Sequence, residues 1–224
     1  MHCKKLFDYD KKLRTKYGSL ILGCDEVARG CWAGPIVAAS VIFDDNAYIE
    51  HLNDSKKLSD KVRIKLDQII KNTALSWAVA EISVELIDKY GINWANSQAM
   101  HQSSKLACEK IGLNLENINL FILDQSPCKS LNPNLMISKA DSTSASVAAA
   151  SILAKNYRNN LILNYQNLYP EYNFDKHSGY INEHHLTAVN KFGLINGVHR
   201  KSYKVSGFNK GKQINMKDFF TDEN

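Results

Sequence analysis

No stretch of this sequence is apolar for long enough to cross a bilayer. The longest low-polarity run, Ala145 to Ala154, falls well short of the roughly 20 residues that a spanning helix needs. The N-terminus, MHCKKLFDYDKKLR, carries positive charge with no apolar segment behind it, so it does not read as a secretory signal. A soluble, cytoplasmic protein without membrane contact is the expectation. Cysteines are scattered: Cys3, Cys24, Cys31, Cys108 and Cys128 form none of the close pairs of zinc sites or redox motifs, which leaves reduced thiols. Also missing are a Gly-x-Ser-x-Gly elbow, a Walker-type phosphate loop and a dinucleotide glycine fingerprint. The histidines, His184-His185 among them, lack the helical spacing of a zinc pair and read as surface or packing residues. There is no internal repeat and no low-complexity segment.

The net charge of +5 is too modest to indicate a polyanionic partner by itself. Its distribution says more. No Asp or Glu occurs between His184 and Lys217, while Lys191, Arg200, Lys201, Lys204, Lys210, Lys212 and Lys217 all fall there. That one-sign stretch suits a phosphate backbone once phosphodiester chemistry is argued on other grounds.

With 224 residues and 44% hydrophobic content, the chain can close a sizeable core as one catalytic domain with an appendage. SLILGCDE (19–26) and GPIVAASVIF (34–43) read as a strand pair forming a hairpin. Ser59 can cap a helix running to about Asn72, and residues 75–84 alternate like a strand. Residues 84–111 have helical spacing broken at Gly91, giving two helical pieces. NLFILD (119–124) and PNLMISK (133–139) are further strands, Ser142 to about Leu168 is an Ala-rich helix, and a short helix spans about Asn182 to Phe192. Strands first, then strands alternating with helices, predict an α/β domain with a mixed sheet.

Asp25 and Glu26 stand where the first apolar strand should be ending, and Ala28-Arg29-Gly30 supplies a break that lets both reach one site. Asp124 ends the buried strand FIL, and Asp141 precedes a Ser/Thr-rich helix start. Singly, each acid has a plain reading as a cap, a turn residue or an ion-pair partner. Together they would crowd repelling charges onto one rim, a cost that protonation or hard, oxygen-seeking cations such as Mg²⁺ or Mn²⁺ relieve. Two ions roughly 3.5–4 Å apart would activate a water and stabilise a leaving oxygen at phosphorus without a protein nucleophile.

With these motifs in hand, the chain resembles the ribonuclease HII family over about residues 20–203. The resemblance rests on GCDEVARGCWAGPIVAASVIF, DSKKLSDKVR, ILDQ around Asp124, KADS with AAASILAKNYR, HSGYINEHH and VHRKSY, in the family's order. It implies a ribonuclease H-like fold, a five-stranded mixed sheet flanked by helices with a C-terminal helical extension that clamps substrate. The implied organisation is a catalytic domain over 1–169, the extension over 170–206 and a flexible basic tail over 207–224. The implied activity is hydrolysis of the RNA strand of RNA/DNA hybrids and cleavage 5′ to ribonucleotides embedded in duplex DNA, leaving 3′-OH and 5′-phosphate. By motif position Asp25, Glu26, Asp124 and Asp141 are the Mg²⁺- or Mn²⁺-binding acids. Ala28-Arg29-Gly30 is the turn that meets the 2′-hydroxyl, the group distinguishing ribose from deoxyribose, and Tyr180 packs on the sugar there. Lys56, Lys155 and Arg158, in matching segments, are expected to contact phosphates.

The chain departs from the family at several positions. Ala28 stands in place of Gly, where a methyl disfavours a positive φ at a cost on the order of 1 kcal/mol or more. Gln125, Ala140, Asn159 and Ile181-Asn182 also replace the usual residues. All four acids remain, so an active monomeric enzyme with altered junction preference is expected. Met216, Phe219 and Phe220 form a candidate docking peptide for a replication clamp. The readings weighed against this are ribonuclease HIII, a nucleic-acid-binding module without catalysis, and a structural α/β domain whose acids are only caps and turns.

Overall fold

The apolar run after Leu20 becomes β1 (Ile21–Val27), and the second run becomes β2 (Ile36–Ile42). They pair antiparallel from Gly23 opposite Val41 to Val27 opposite Val37. β2 is buried at every position, the condition under which a strand is apolar throughout instead of alternating. The computed structural model describes residues 2–124, 127–208 and 213–214. β3 (Ser76–Ile82) lies beyond β2 at the sheet edge and alternates buried and less buried positions. On the other side, β4 (Leu120–Asp124) runs parallel to β1, and β5 (Asn134–Ile137) parallel to β4. The order β3-β2-β1-β4-β5 is the five-stranded mixed sheet the sequence led us to expect.

Two compact units divide the chain. The first comprises residues 1–27, 37–81 and 96–157, and holds most of this sheet. The sequence reading overlooked its α1 (His2–Tyr17). Leu6, Phe7, Asp10, Leu13 and Arg14 are all buried there at spacings of three and four, a helical stripe hidden by the surrounding lysines. Asp10 is fully buried and its Oδ2 accepts the N–H of Ser146 at 2.8 Å, an acceptor for an orphan donor in the first turn of the Ala-rich α5 (Ala145–Leu168). A Cβ at Gly23 would lie 2.4–2.5 Å from the backbone of Ser146 and Val147, so β1 and this first turn approach as closely as a glycine permits. α2 (Asp60–Thr73) begins at Ser59, whose hydroxyl accepts from Val62 N as expected. α3 (Val84–Tyr90) and α4 (Ile92–Glu109) are separated at Gly91, where φ is +84°.

The second unit takes residues 28–36, 82–95 and 158–224. It contains α6 (Phe174–His177), α7 (Glu183–Phe192) and the short strands β6 (Leu194–Ile195) and β7 (Gln213–Ile214). Trp32 from the 28–36 segment packs in one core with Tyr172, Phe174, Val189 and Ile195, which is why this unit gathers three stretches of chain and is not confined to residues after 169. Among the described residues no helix is long and apolar enough to cross a membrane. The tail expected to be flexible lies mostly outside the described residues, as does the proposed docking peptide at Met216, Phe219 and Phe220.

Candidate active site

β1 and β4 are paired in register through Cys24 opposite Leu123, so the next residues on these adjacent parallel strands are Asp25 and Asp124. Carboxyl ends of parallel strands are where open α/β sheets place their sites. β4 continues to Asp124 opposite Ile137 of β5, and the chain then turns through Lys139, at φ +56°, into a 3₁₀ turn over Ala140–Ser142. The N–H of Ala140 donates to Asp124 Oδ1 at 3.2 Å, tying the third acid to the residue before the fourth. β1 runs through Val27, with Glu26 opposite Ala38, and the chain breaks where expected, at Ala28, whose φ is +74°.

The charges of this site press on one another. Asp25 is 7% exposed, and burial pushes its pKa well above the ordinary carboxylate value, with Glu26, Asp124 and Asp141 adding to the rise and the Ser151 hydroxyl opposing it. Its Oδ1 also accepts the N–H of Glu26 at 2.9 Å. Asp141, 1% exposed, is likewise raised, first by burial, with Lys56 opposing and Asp54 and Asp124 reinforcing. Neighbouring Cys24 is no nucleophile: burial pushes its thiol up to about 12.

Three residues that the sequence reading passed over organise the loop beside these acids. Asp54 is buried and accepts from Lys56 N through Oδ1 at 2.9 Å and from the Ser142 hydroxyl through Oδ2 at 3.3 Å. The Ser55 and Ser151 hydroxyls meet at 2.9 Å. This arrangement directs Lys56 toward Asp141, with Nζ 3.4 Å from Oδ2. Lys155 stands in the same field: burial lowers its pKa first, then Arg63 and Lys56, while Asp60 and Asp54 oppose. The signal for Asp54 was its place at the head of DSKKL, an acid immediately before a basic run.

An all-oxygen set of carboxylates raised by burial and mutual repulsion is the donor chemistry that hard divalent cations prefer. Among the described residues, however, no group of three or more His, Cys, Asp or Glu side chains is arranged to hold a metal ion as it stands.

In the second unit, Ala28 does take a positive φ, +74°, with its side chain buried. Its carbonyl accepts from Cys31 N, closing a turn across Arg29 and Gly30. The Arg29 carbonyl is held by Arg200 Nη1 at 3.1 Å and the Tyr203 hydroxyl at 2.6 Å, and the Arg29 guanidinium reaches Asn93 Oδ1 at 2.7 Å. Gly30 has open space where a Cβ would be, and the Tyr180 ring is 49% exposed. Arg158 requires a correction. Expected at phosphates, it is 3% exposed, and its Nη2 donates to the carbonyls of Ala33 at 2.8 Å and Ser178 at 3.2 Å, bracing the backbone from inside. Asn182 caps α7 by accepting from His185 N at 2.9 Å. Gln125 lies outside the described residues.

The model of the family described as ribonuclease HII matches residues 22–206. A ribonuclease HII of Clostridium acetobutylicum is 42% identical over 207 residues, covering 89% of this chain and 77% of the relative. Among solved structures, the ribonuclease HII of Archaeoglobus fulgidus, determined in a complex with PCNA, superposes with a TM-score of 0.66 at 23% identity, covering 89% of this chain and all of that one. Bst-RNase HIII in complex with Mn²⁺ gives 0.55 at 22% identity over 69% of this chain, which spans only 56% of that protein's length. The two structural likenesses show the fold alone, whereas the family match runs across both units and through every motif that carries an acid. This chain therefore belongs to the ribonuclease HII family, and is an endonuclease of the ribonuclease H type.

Proposed function

We propose that the chain hydrolyses the RNA strand of RNA/DNA hybrids and cuts 5′ to ribonucleotides embedded in duplex DNA, leaving 3′-OH and 5′-phosphate ends. The observation that carries this reading is the register of β1 and β4, which sets Asp25 beside Asp124 at the sheet's carboxyl edge, with Asp141 joined to Asp124 through Ala140 N. Asp25, Glu26, Asp124 and Asp141 would hold two Mg²⁺ or Mn²⁺ ions. Bound there, the ions supply an activated water and charge stabilisation at the leaving oxygen. Lys56, aimed by Asp54, and Lys155 bind phosphate oxygens beside the acids. The backbone of Ala28, Arg29 and Gly30 meets the ribose 2′-hydroxyl, with the space at Gly30 admitting a sugar edge, and the exposed Tyr180 ring packs on that sugar. Residues 170–206, acid-free beyond Glu183, clamp the duplex. A clamp contact, supported by the complex of the Archaeoglobus relative with PCNA, would use the C-terminal tail.

The deciding assay incubates the protein with a DNA duplex containing one ribonucleotide and with a long RNA/DNA hybrid, each with Mg²⁺ or Mn²⁺. Incision 5′ to the ribonucleotide with the stated ends is the expected result. Tight binding with no cleavage in either metal would replace this reading by a nucleic-acid-binding module, and neither activity would refute both.

A further inference from the structure

Three histidines in the second unit, His177, His185 and His199, are buried among Trp32, Tyr172 and Phe174. His177 stacks on His185 with ring centroids 4.0 Å apart and planes inclined by 15°. Each ring meets a backbone group whose role is fixed, so the tautomers can be deduced. Ile195 N–H donates to His199 Nδ1 at 2.9 Å, which leaves the His199 proton on Nε2. That Nε2–H faces His185 Nε2 at 3.0 Å, so His185 must accept there and carry its own proton on Nδ1. His185 Nδ1–H then donates to the Tyr180 carbonyl at 2.9 Å. His177 accepts Gly179 N–H at Nδ1, 3.2 Å away, and donates from Nε2 to the Tyr172 carbonyl at 3.0 Å. Every ring is neutral, every ring nitrogen is used, and the chain from Ile195 to Tyr180 has one direction.

The end of that chain is the residue proposed to support the sugar. Tyr180 N–H donates to the His177 carbonyl at 2.9 Å and its own carbonyl is held by His185, so its backbone is fixed from both sides while its ring stays half exposed. The preceding carbonyl, that of Gly179, accepts from Trp32 N at 2.8 Å and Ala33 N at 3.1 Å, in the segment that continues the 28–30 turn. A Cβ at Gly179 would lie 2.7 Å from the Ala33 carbonyl oxygen, so this approach leaves no slack. We infer that His185 is a positioning residue for Tyr180, held in its Nδ1–H tautomer by His199, and that the three histidines couple Tyr180 to the 28–34 turn. This rests on the ribose-reading role proposed for Tyr180. Burial lowers the pKa of His177 and brings His185 to about 4 and His199 to about 3, in keeping with neutral rings at physiological pH.

Two measurements on the full chain test this. Imidazole ¹⁵N spectra of the unmodified protein should show His185 protonated at Nδ1, and His177 and His199 at Nε2; any other assignment for His185 overturns the inference. In kinetics on the single-ribonucleotide duplex, His185→Leu should lower kcat/KM about tenfold, the scale of one lost hydrogen bond. His185→Asn, whose amide nitrogen can replace Nδ1–H, should return to within about threefold of the parent. In a Tyr180→Ala background His185→Leu should add nothing further, because it acts through Tyr180. Parent-like activity of His185→Leu, or losses that multiply in the double variant, overturns the inference. Should His185→Leu fail to fold, the Asn variant and the spectra still decide. A parent protein that cuts neither substrate defeats the nuclease reading instead, so the two failures are told apart by the parent's own activity.

Discussion

Acidification should unlock the second unit through its histidines, by an amount the structure sets. His185 and His199 are both fully buried; desolvation brings them to about 4 and about 3, each opposed only by its backbone hydrogen bond. Their folded pKa values lie below the unfolded value of about 6.5, so the unfolded chain binds more protons throughout that interval. The stability of the neutral rings is therefore complete above pH 6.5 or so and is lost as the pH falls toward the folded values. Each ring loses about 1.4 kcal/mol per pH unit in this window, which makes roughly 2 kcal/mol at about pH 5 for one ring and roughly 4 for both. His177, facing Asp175 and His184, shifts in the same direction. Asp10, Asp25 and Asp141 oppose the trend, since their raised pKa values make them less costly when protonated. Urea unfolding at several pH values between about 8 and 5 measures the sum, and His199→Gln isolates one ring because glutamine does not titrate. That variant should flatten the slope by about 1.4 kcal/mol per pH unit relative to the parent. An unchanged slope would refute the claim that the ring is held neutral by burial.

The acids themselves yield opposite effects on activity and stability. Asp124→Asn should reduce cleavage in Mg²⁺ or Mn²⁺ by more than the roughly 10–100-fold typical of losing a group behind a metal ligand, with the fold retained by circular dichroism. Asp25→Asn, without added metal, should stabilise the protein by about 0.5–2 kcal/mol, or a few degrees in Tm, because it removes a buried charge facing three other carboxylates. The sign follows from the raised pKa of Asp25: charging it costs stability as the pH rises above its unfolded value, so the gain should shrink on acidification, and a destabilised Asp25→Asn at neutral pH would contradict it. Gly179→Ala forces a Cβ to 2.7–2.8 Å from the Ala33 carbonyl oxygen and Arg158 Nη2 at φ +80°, so a loss of roughly 2–4 kcal/mol is expected in urea unfolding, and less than about 1 would be incompatible with this geometry. Lys56→Ala should flatten the salt dependence of duplex binding by about one unit of log–log slope, whereas Arg158→Ala should leave the slope unchanged and lower stability, its guanidinium being occupied by carbonyls.

How far the sequence could lead depended on whether a feature is local or a matter of register. The mixed sheet, the Ser59 cap and the interruption at Gly91 are local patterns, and all three are present as read. That Asp25 and Asp124 become lateral neighbours depends on pairing strands almost a hundred residues apart, which no periodicity encodes; only the order of motifs hinted at it. The α1 stripe was visible in principle, at Leu6, Phe7, Asp10, Leu13 and Arg14, yet a buried Asp and Arg do not resemble a core until their partners are known. Arg158 misled for the same reason in reverse, since a basic residue in a basic segment reads as a surface charge until its carbonyl acceptors are in place. The histidine chain had no local signature at all, because its members sit on three separate pieces of chain.

Ala28 shows the two kinds of information meeting. From sequence, an alanine at this turn argues against a left-handed residue, and the cost of that conformation for an L side chain is about 1–2 kcal/mol. The conformation is adopted nonetheless, at φ +74°. Strain of this size persists where neighbours over-determine the backbone. Here they do: the next carbonyl, that of Arg29, is gripped by Arg200 and Tyr203, and Arg200 also donates to the Gly34 carbonyl at 2.9 Å on the far side of the turn. Arg200 is itself fully buried, so its guanidinium cannot relax toward water without unmaking both contacts. The left-handed turn at Ala28 is thus held by backbone contacts that do not involve the Ala28 methyl, so Ala28→Gly should relieve strain while leaving the backbone path in place.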